Sequence, residues 1–187
     1  FEILILTEDF NGASKQLTKL AEQEPKAEAG IKHFQGLLDA ERARHEFLTQ
    51  GKGFPGFLSE PPPYAQLFYE ANTLLGQGRK SEALPKLVEA QAMVKPQSGM
   101  LDDHLFVGIR DSDDFLAPFM EMITPGGYFW VPYEHLGRLR IQRAQAYQDL
   151  IWLPSRLELR NGSAGLGWVP SLYAGTRAKN DDTLTLG

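Results

Sequence analysis

Cysteine is absent from all 187 residues, which excludes disulfides, thiolate metal ligands and a cysteine nucleophile together. Long apolar runs are absent too. None approaches the roughly 20 residues that a helix needs to span a bilayer, and no signal peptide is visible. The second absence carries little weight, because the chain opens at Phe1 rather than Met. Phe1, Ile3, Leu4, Ile5 and Leu6 read like the interior of a helix that begins upstream. Positive charge is also scarce: Lys+Arg number 19 against 24 Asp+Glu, a net charge of −5. The imbalance is spread over both halves, so neither offers the basic face that nucleic acid requires. What remains is ordinary for a globular protein, with 42% hydrophobic and 23% charged residues. Such a chain can bury a core as one domain or two small ones.

The first half, residues 1–99, patterns as helices. Tyr64, Leu67, Phe68, Ala71, Leu74 and Leu75 draw one apolar stripe on a 3.6-residue period. Pro61, Pro62 and Pro63 mark its start, and Gly76 and Gly78 its end. A second helix runs from about Ser81, with Ala83, Leu84, Leu87, Val88 and Ala90 inward and Pro96 after it. The short glycine-containing link predicts an antiparallel helical hairpin. Asp9-Phe10-Asn11-Gly12 reads as a turn, and with Ala13, Leu17, Leu20 and Pro25 after it the segment looks like an earlier copy of the second helix. A small Ala at the helix crossing, large apolar residues one and two turns on, then Pro is a tetratricopeptide-like pattern. Between the copies, 26–49 reads as one long helix with Ile31, Phe34, Leu38 and Leu48 on its face. The glycine- and proline-rich loop 50–63 carries Phe54, Phe57 and Leu58, so it should pack down rather than hang free.

From about Met100 the period shortens, and 100–187 reads as a small, mostly antiparallel β-rich unit. The expected fold class is therefore α+β, a tetratricopeptide-like helical layer followed by that unit. Strands are predicted at His104–Arg110, with Leu105, Val107 and Ile109 on one face, and at Tyr128–Tyr133, which Pro132 places at an edge or an end. Gly137–Ile141 is a third, with Arg138 and Arg140 on its polar face. Ser155–Arg160 and Ala164–Val169 flank Asn161-Gly162, the strongest short hairpin signal. One helix, Phe115–Ile123, is expected to be capped by Asp113 or Asp114. The tail from about 175 is polar and expected to fray.

Five runs of the second half, taken in order, resemble the ImpE/SciE (TagJ-like) family. They are Arg110-Asp111-Ser112-Asp113-Asp114-Phe115-Leu116-Ala117-Pro118, Gly127-Tyr128-Phe129-Trp130-Val131-Pro132-Tyr133, Leu139-Arg140-Ile141, Asp149-Leu150-Ile151-Trp152-Leu153-Pro154 and Trp168-Val169-Pro170-Ser171-Leu172-Tyr173. The first half matches more loosely, at Asp9-Phe10…Ala13…Leu17 and Phe57-Leu58-Ser59-Glu60-Pro61-Pro62. Leu153 departs from the family, where a basic residue is common. The resemblance implies a non-enzymatic, cytoplasmic accessory protein of bacterial type VI secretion, one that binds the N-terminal helix of the sheath protein TssB near the ClpV unfoldase. From the residues themselves, no cofactor, no nucleic acid and no membrane are expected.

Other chemistry finds little support in the residues. The acids Asp102, Asp103, Asp111, Asp113 and Asp114 with His104 lack calcium-loop spacing, and caps and turns account for most of them. Leu75–Ser81 ends like a phosphate loop but lacks its first glycine and its strand. His33, His45, His104 and His135 show no metal spacing, and Ser163 has no G-x-S-x-G frame. Trp130, Trp152 and Trp168 read as core, and Arg138, Arg140 and Arg143 as a solvated face or a docking spot for acids. Tyr64, Leu67 and Phe68 are the expected partner-binding side chains, with Arg79 at the rim. The competing reading is an enzyme or small-molecule binder using the cleft between the two halves, with His104 and the acids as its polar groups.

Overall fold

A computed structural model describes residues 1–175, so the expected polar tail lies outside the described residues. The fold is α+β. Among the described residues the first half holds five α-helices, with one short strand between the third and fourth: α1 Glu2–Leu6, α2 Phe10–Gln23, α3 Glu28–Gln50, α4 Pro63–Gly76 and α5 Lys80–Met93. Asp9 caps α2 by accepting from the Gly12 amide at 2.9 Å. Pro63 opens α4, where its missing N–H costs nothing. The start of α4 was expected, whereas residues 10–12, expected in a turn, form the first turn of α2. The α4–α5 pair buries Ala71, Ala83 and Ala90, small residues that let two helix backbones approach. The outer face of α5 departs from expectation. Leu84 and Val88 are exposed, because only the Ala83–Leu87–Ala90 stripe faces α4. The C-terminal ends of α3 and α4 cross so closely that a Cβ on Gly76 would lie 2.2 Å from the Gln50 carbonyl carbon. Glycine is required there.

The loop after α3 packs down, as its aromatics suggest. Its Gly56–Phe57 segment forms β1, an edge strand parallel to β5. The other strands are β2 Ser98–Leu101, β3 His104–Val107, β4 Phe119–Thr124, β5 Gly127–Pro132, β6 Leu136–Ile141, β7 Trp152–Leu159 and β8 Ala164–Pro170. They form a six-stranded sheet of order β1-β5-β4-β8-β7-β6 and a separate β2–β3 hairpin. The β7–β8 hairpin turns at Asn161-Gly162. There Asn161 accepts from the Ser163 amide and Gly162 takes a φ of 89°.

Two expectations are corrected. Phe115–Ile123 is not a helix: Asp113 caps a short turn by accepting from the Phe115 amide, and the chain then enters β4. Pro118 disfavours helix at the residue before it. The residues of β4 also alternate between two apolar environments. Phe119 and Ile123 face the helices, while Met120 and Met122 join Val131, Leu157 and Leu159 in a second core. A strand buried on both faces reads as a continuous apolar run, which mimics a helix. The second correction concerns His104–Arg110. Only its His104–Val107 part is a strand, one arm of a hairpin, and Leu105 and Val107 face solvent rather than a core.

The main core holds residues of every helix together with Phe119, Ile123, Trp130, Ile151 and Trp152, so helices and sheet share one apolar interior. Trp130 and Trp152 are buried as the sequence suggested, while Trp168 is half-buried with its ring 4.9 Å from that of His33. Among the described residues no helix is long and apolar enough to cross a membrane.

A candidate partner-binding cleft

The long helix α3 sets the geometry of the site. Its buried stripe is interrupted by two charged residues one turn apart, Glu41 and Arg44. Arg44 donates from Nε to Glu121 Oε1 at 2.7 Å and from Nη2 to Glu121 Oε2 at 2.9 Å, a bidentate fork onto β4. Its Nη1 donates to Glu41 Oε1 at 2.7 Å, and Nη2 also donates to the Leu172 carbonyl at 2.7 Å. The carboxylates have further donors. Tyr128 Oη donates to Glu121 Oε1 at 2.7 Å and receives the Trp130 indole N–H at 2.7 Å. Trp152 Nε1 donates to Glu41 Oε2 at 3.0 Å. The network thus ties α3 to β4, β5, β7 and the segment after β8, and among the described residues no buried side-chain polar atom lacks a partner.

Burial alone would pull Arg44 down, but Glu121 and Glu41 outweigh it and hold the guanidinium well above its usual range. Burial, reinforced by Glu121, pushes Tyr128 well above its ordinary value of 10.0. Burial also raises Tyr64, aided by Glu134, and Tyr133, while Tyr173 is pushed up to about 12 by burial and by its hydrogen bond to Asp111. The unfolded chain sheds these phenolic protons near pH 10 while the folded chain keeps them, so the stability they contribute is present below pH 10 and falls as pH rises above it. The urea midpoint is expected to drop between pH 9 and pH 11, and to drop less in Tyr128→Phe. An equal loss in both proteins would refute the assignment.

Above this network lies a cleft of about 340 Å³, within the size range of binding pockets. Ile5, Leu6 and Phe10 form one wall and Ile151, Pro170 and Leu172 the other, with Glu41 and Arg44 on the floor and Glu8 and His45 at one side. The His45 ring nitrogen lies 3.8 Å from Glu8. With Glu121 behind Arg44, the carboxylates outnumber the one guanidinium. The arrangement suits apolar side chains accompanied by a cation.

The sequence-predicted surface lies elsewhere. Phe68 is 0% exposed and Tyr64 5%, so their apolar surface is committed to the core, and Tyr64 Oη donates to Glu134. Leu67 is half-buried. Arg79 is exposed, pairs with Glu82 and lines a 250 Å³ groove along α4 and α5. His104 and the acids do not converge. His104 follows the β2–β3 turn, Asp113 caps a turn, Asp114 pairs with Arg110, and Asp111 accepts from Tyr173. Among the described residues no three His, Asp or Glu side chains are placed to hold a metal ion. A separate cavity of 650 Å³ contains a pair that sequence spacing did not suggest, Ser59 Oγ 2.8 Å from His135 Nδ1. Among the described residues no hydrogen bond orients the other nitrogen of that ring, as a nucleophile's base would need. The Glu41–Arg44–Glu121 network was missed as well. Its only sequence signals are an acid inside an apolar β4 run and a charged pair inside the apolar stripe of α3.

Comparison with known proteins places the chain as follows. Residues 103–187 match the ImpE family model, described as ImpE protein. The chain is 29% identical over 189 aligned residues to the type VI secretion system accessory component TagJ of Pseudomonas aeruginosa, covering 100% of this chain and 66% of that one. The crystal structure of protein VPA1032 from Vibrio parahaemolyticus superposes with a TM-score of 0.85 at 24% identity, covering 92% of this chain and 65% of the other. The chain therefore spans just under two thirds of the length of each.

Proposed function

We propose, from the match of residues 103–187 to the ImpE family and the similarity of the chain to TagJ, that it is an ImpE/TagJ-like, non-enzymatic, cytoplasmic accessory protein of a type VI secretion system that holds an amphipathic helix of a sheath component. The finer reading names that helix as the N-terminus of TssB. The observation that carries the reading is the cleft between α1, α2, α3 and the segment after β8. Apolar walls over a floor of Glu41 and Arg44, with Glu8 at one side, match a helix that presents leucine-like side chains beside a lysine or arginine. We read residues 1–99 as a tetratricopeptide-like helical part, supported by the alanine-lined α4–α5 crossing, and 100–187 as the β-rich part that completes the cleft.

The test is titration of a labelled TssB N-terminal peptide. Leu6 is partly exposed at the cleft wall, so Leu6→Asp should cost about 2 kcal/mol or more of binding. Glu8→Gln should chiefly weaken the salt dependence. Arg79→Ala probes the α4–α5 groove that Leu67 and Arg79 would serve. A loss there with Leu6→Asp unaffected moves the contact to that groove. Failure of the wild-type chain to bind overturns the assignment to TssB.

A further inference from the structure

The β2–β3 hairpin stands apart from both cores. In its register Met100 lies opposite Leu105 and Ser98 opposite Val107, which puts Met100, Leu105 and Val107 on one face. These residues are 62%, 84% and 84% exposed, and Leu101 at the turn is 71% exposed. A two-stranded hairpin is marginal in water on its own, and contiguous exposed apolar residues on a soluble domain mark an interaction site. The tip carries Leu101 followed by two acids, Asp102 and Asp103. Asp102 adopts a φ of 50°, a conformation that Asp tolerates better than most residues.

At the base of the same hairpin lies a cavity of about 350 Å³, lined by Val94, Pro96, Ile109 and Ala117 with Lys95 and Arg110 among them. Tip and base are complementary in charge: the tip carries two carboxylates, and the base carries Lys95 beside the Arg110–Asp114 pair. Strands of four residues hold them roughly 13 Å apart in one chain, so the tip cannot fill its own base. A twofold axis through the apolar face solves this. It sets two hairpins antiparallel, so each tip meets the other's base.

We propose that the β2–β3 hairpin is the arm of a symmetric dimer: the Met100–Leu105–Val107 faces of two copies pack together, and each Asp102–Asp103 tip lies at the Lys95 base of its mate. This surface is distinct from the cleft and does not depend on the identity of the partner there. Sedimentation over a concentration series is expected to show the wild-type chain approaching the mass of two copies. Met100→Glu with Leu105→Glu should remain monomeric at the same concentrations, with an unchanged far-UV circular dichroism spectrum. Lys95→Glu and Asp103→Lys should each weaken association about tenfold, and the two together should restore most of it. Because the chain has no cysteine, Leu105→Cys supplies a unique thiol near the axis, and mild oxidation should cross-link it to its mate. A wild-type chain that stays monomeric throughout overturns the proposal. So does a dimer indifferent to both the apolar and the charge changes, which would place the interface elsewhere.

Discussion

Replacing Arg44 with methionine should destabilise the fold by about 3–5 kcal/mol near neutral pH. The change in volume is small. The cost arises from what is left behind, two carboxylates on α3 and β4 that lose the only cation they share. The Leu172 carbonyl also loses its donor, loosening the segment that forms one wall of the cleft. The electrostatic origin can be isolated by neutralising the carboxylates. In Arg44→Met/Glu41→Gln/Glu121→Gln the amide oxygens still accept from Trp152 and Tyr128, and no charge is buried. That triple variant should recover more than half of the loss, because replacing a buried ion network whole is far less costly than breaking it. Urea midpoints of the single and triple variants decide the matter. An Arg44→Met protein within about 0.5 kcal/mol of wild type would show that the network contributes little.

The same network shows what a sequence can and cannot disclose. Glu41 and Arg44 are three residues apart on a helix, the spacing of a solvated ion pair, and Glu121 lies 77 residues further along the chain from Arg44. Only the fold brings them together, although an acid within Phe119–Ile123 was a legible hint. Periodicity succeeded where one face was buried and the other wet. It located α4, the β7–β8 hairpin at Asn161-Gly162, and the strand ending at Pro132. It failed where that asymmetry vanished, as in β4, buried on both faces, and in β2–β3, whose apolar face meets solvent. The choice of Tyr64 and Phe68 as surface anchors shows the ambiguity of an amphipathic stripe, since the side chains that could bind a partner helix can equally bind the protein's own sheet. Arg79 stands at the surface because it belongs to neither stripe.

Trp130→Ala should cost a comparable ~3–5 kcal/mol, for an apolar reason. The indole is 0% exposed, lies stacked on Phe119 with ring centroids 4.5 Å apart, and meets Phe47 edge-on at 5.3 Å. Phe47 belongs to α3 and Phe119 to β4, so one side chain joins helix to sheet. Truncation removes these contacts and opens a void that rigid neighbours cannot fill. It also removes the N–H that Tyr128 accepts, although Tyr128 keeps Glu121 as its own acceptor. Trp130→Phe separates the two effects. It keeps most of the ring packing and drops the hydrogen bond, so it should lie between wild type and alanine. Trp168→Ala supplies the contrast, since that ring is half-buried and should cost distinctly less. Thermal melts should rank the proteins as wild type, Trp168→Ala, Trp130→Phe and Trp130→Ala, with the last lowered by about 10 °C or more. If Trp130→Ala melts with Trp168→Ala, then Trp130 is not what joins the long helix to the sheet.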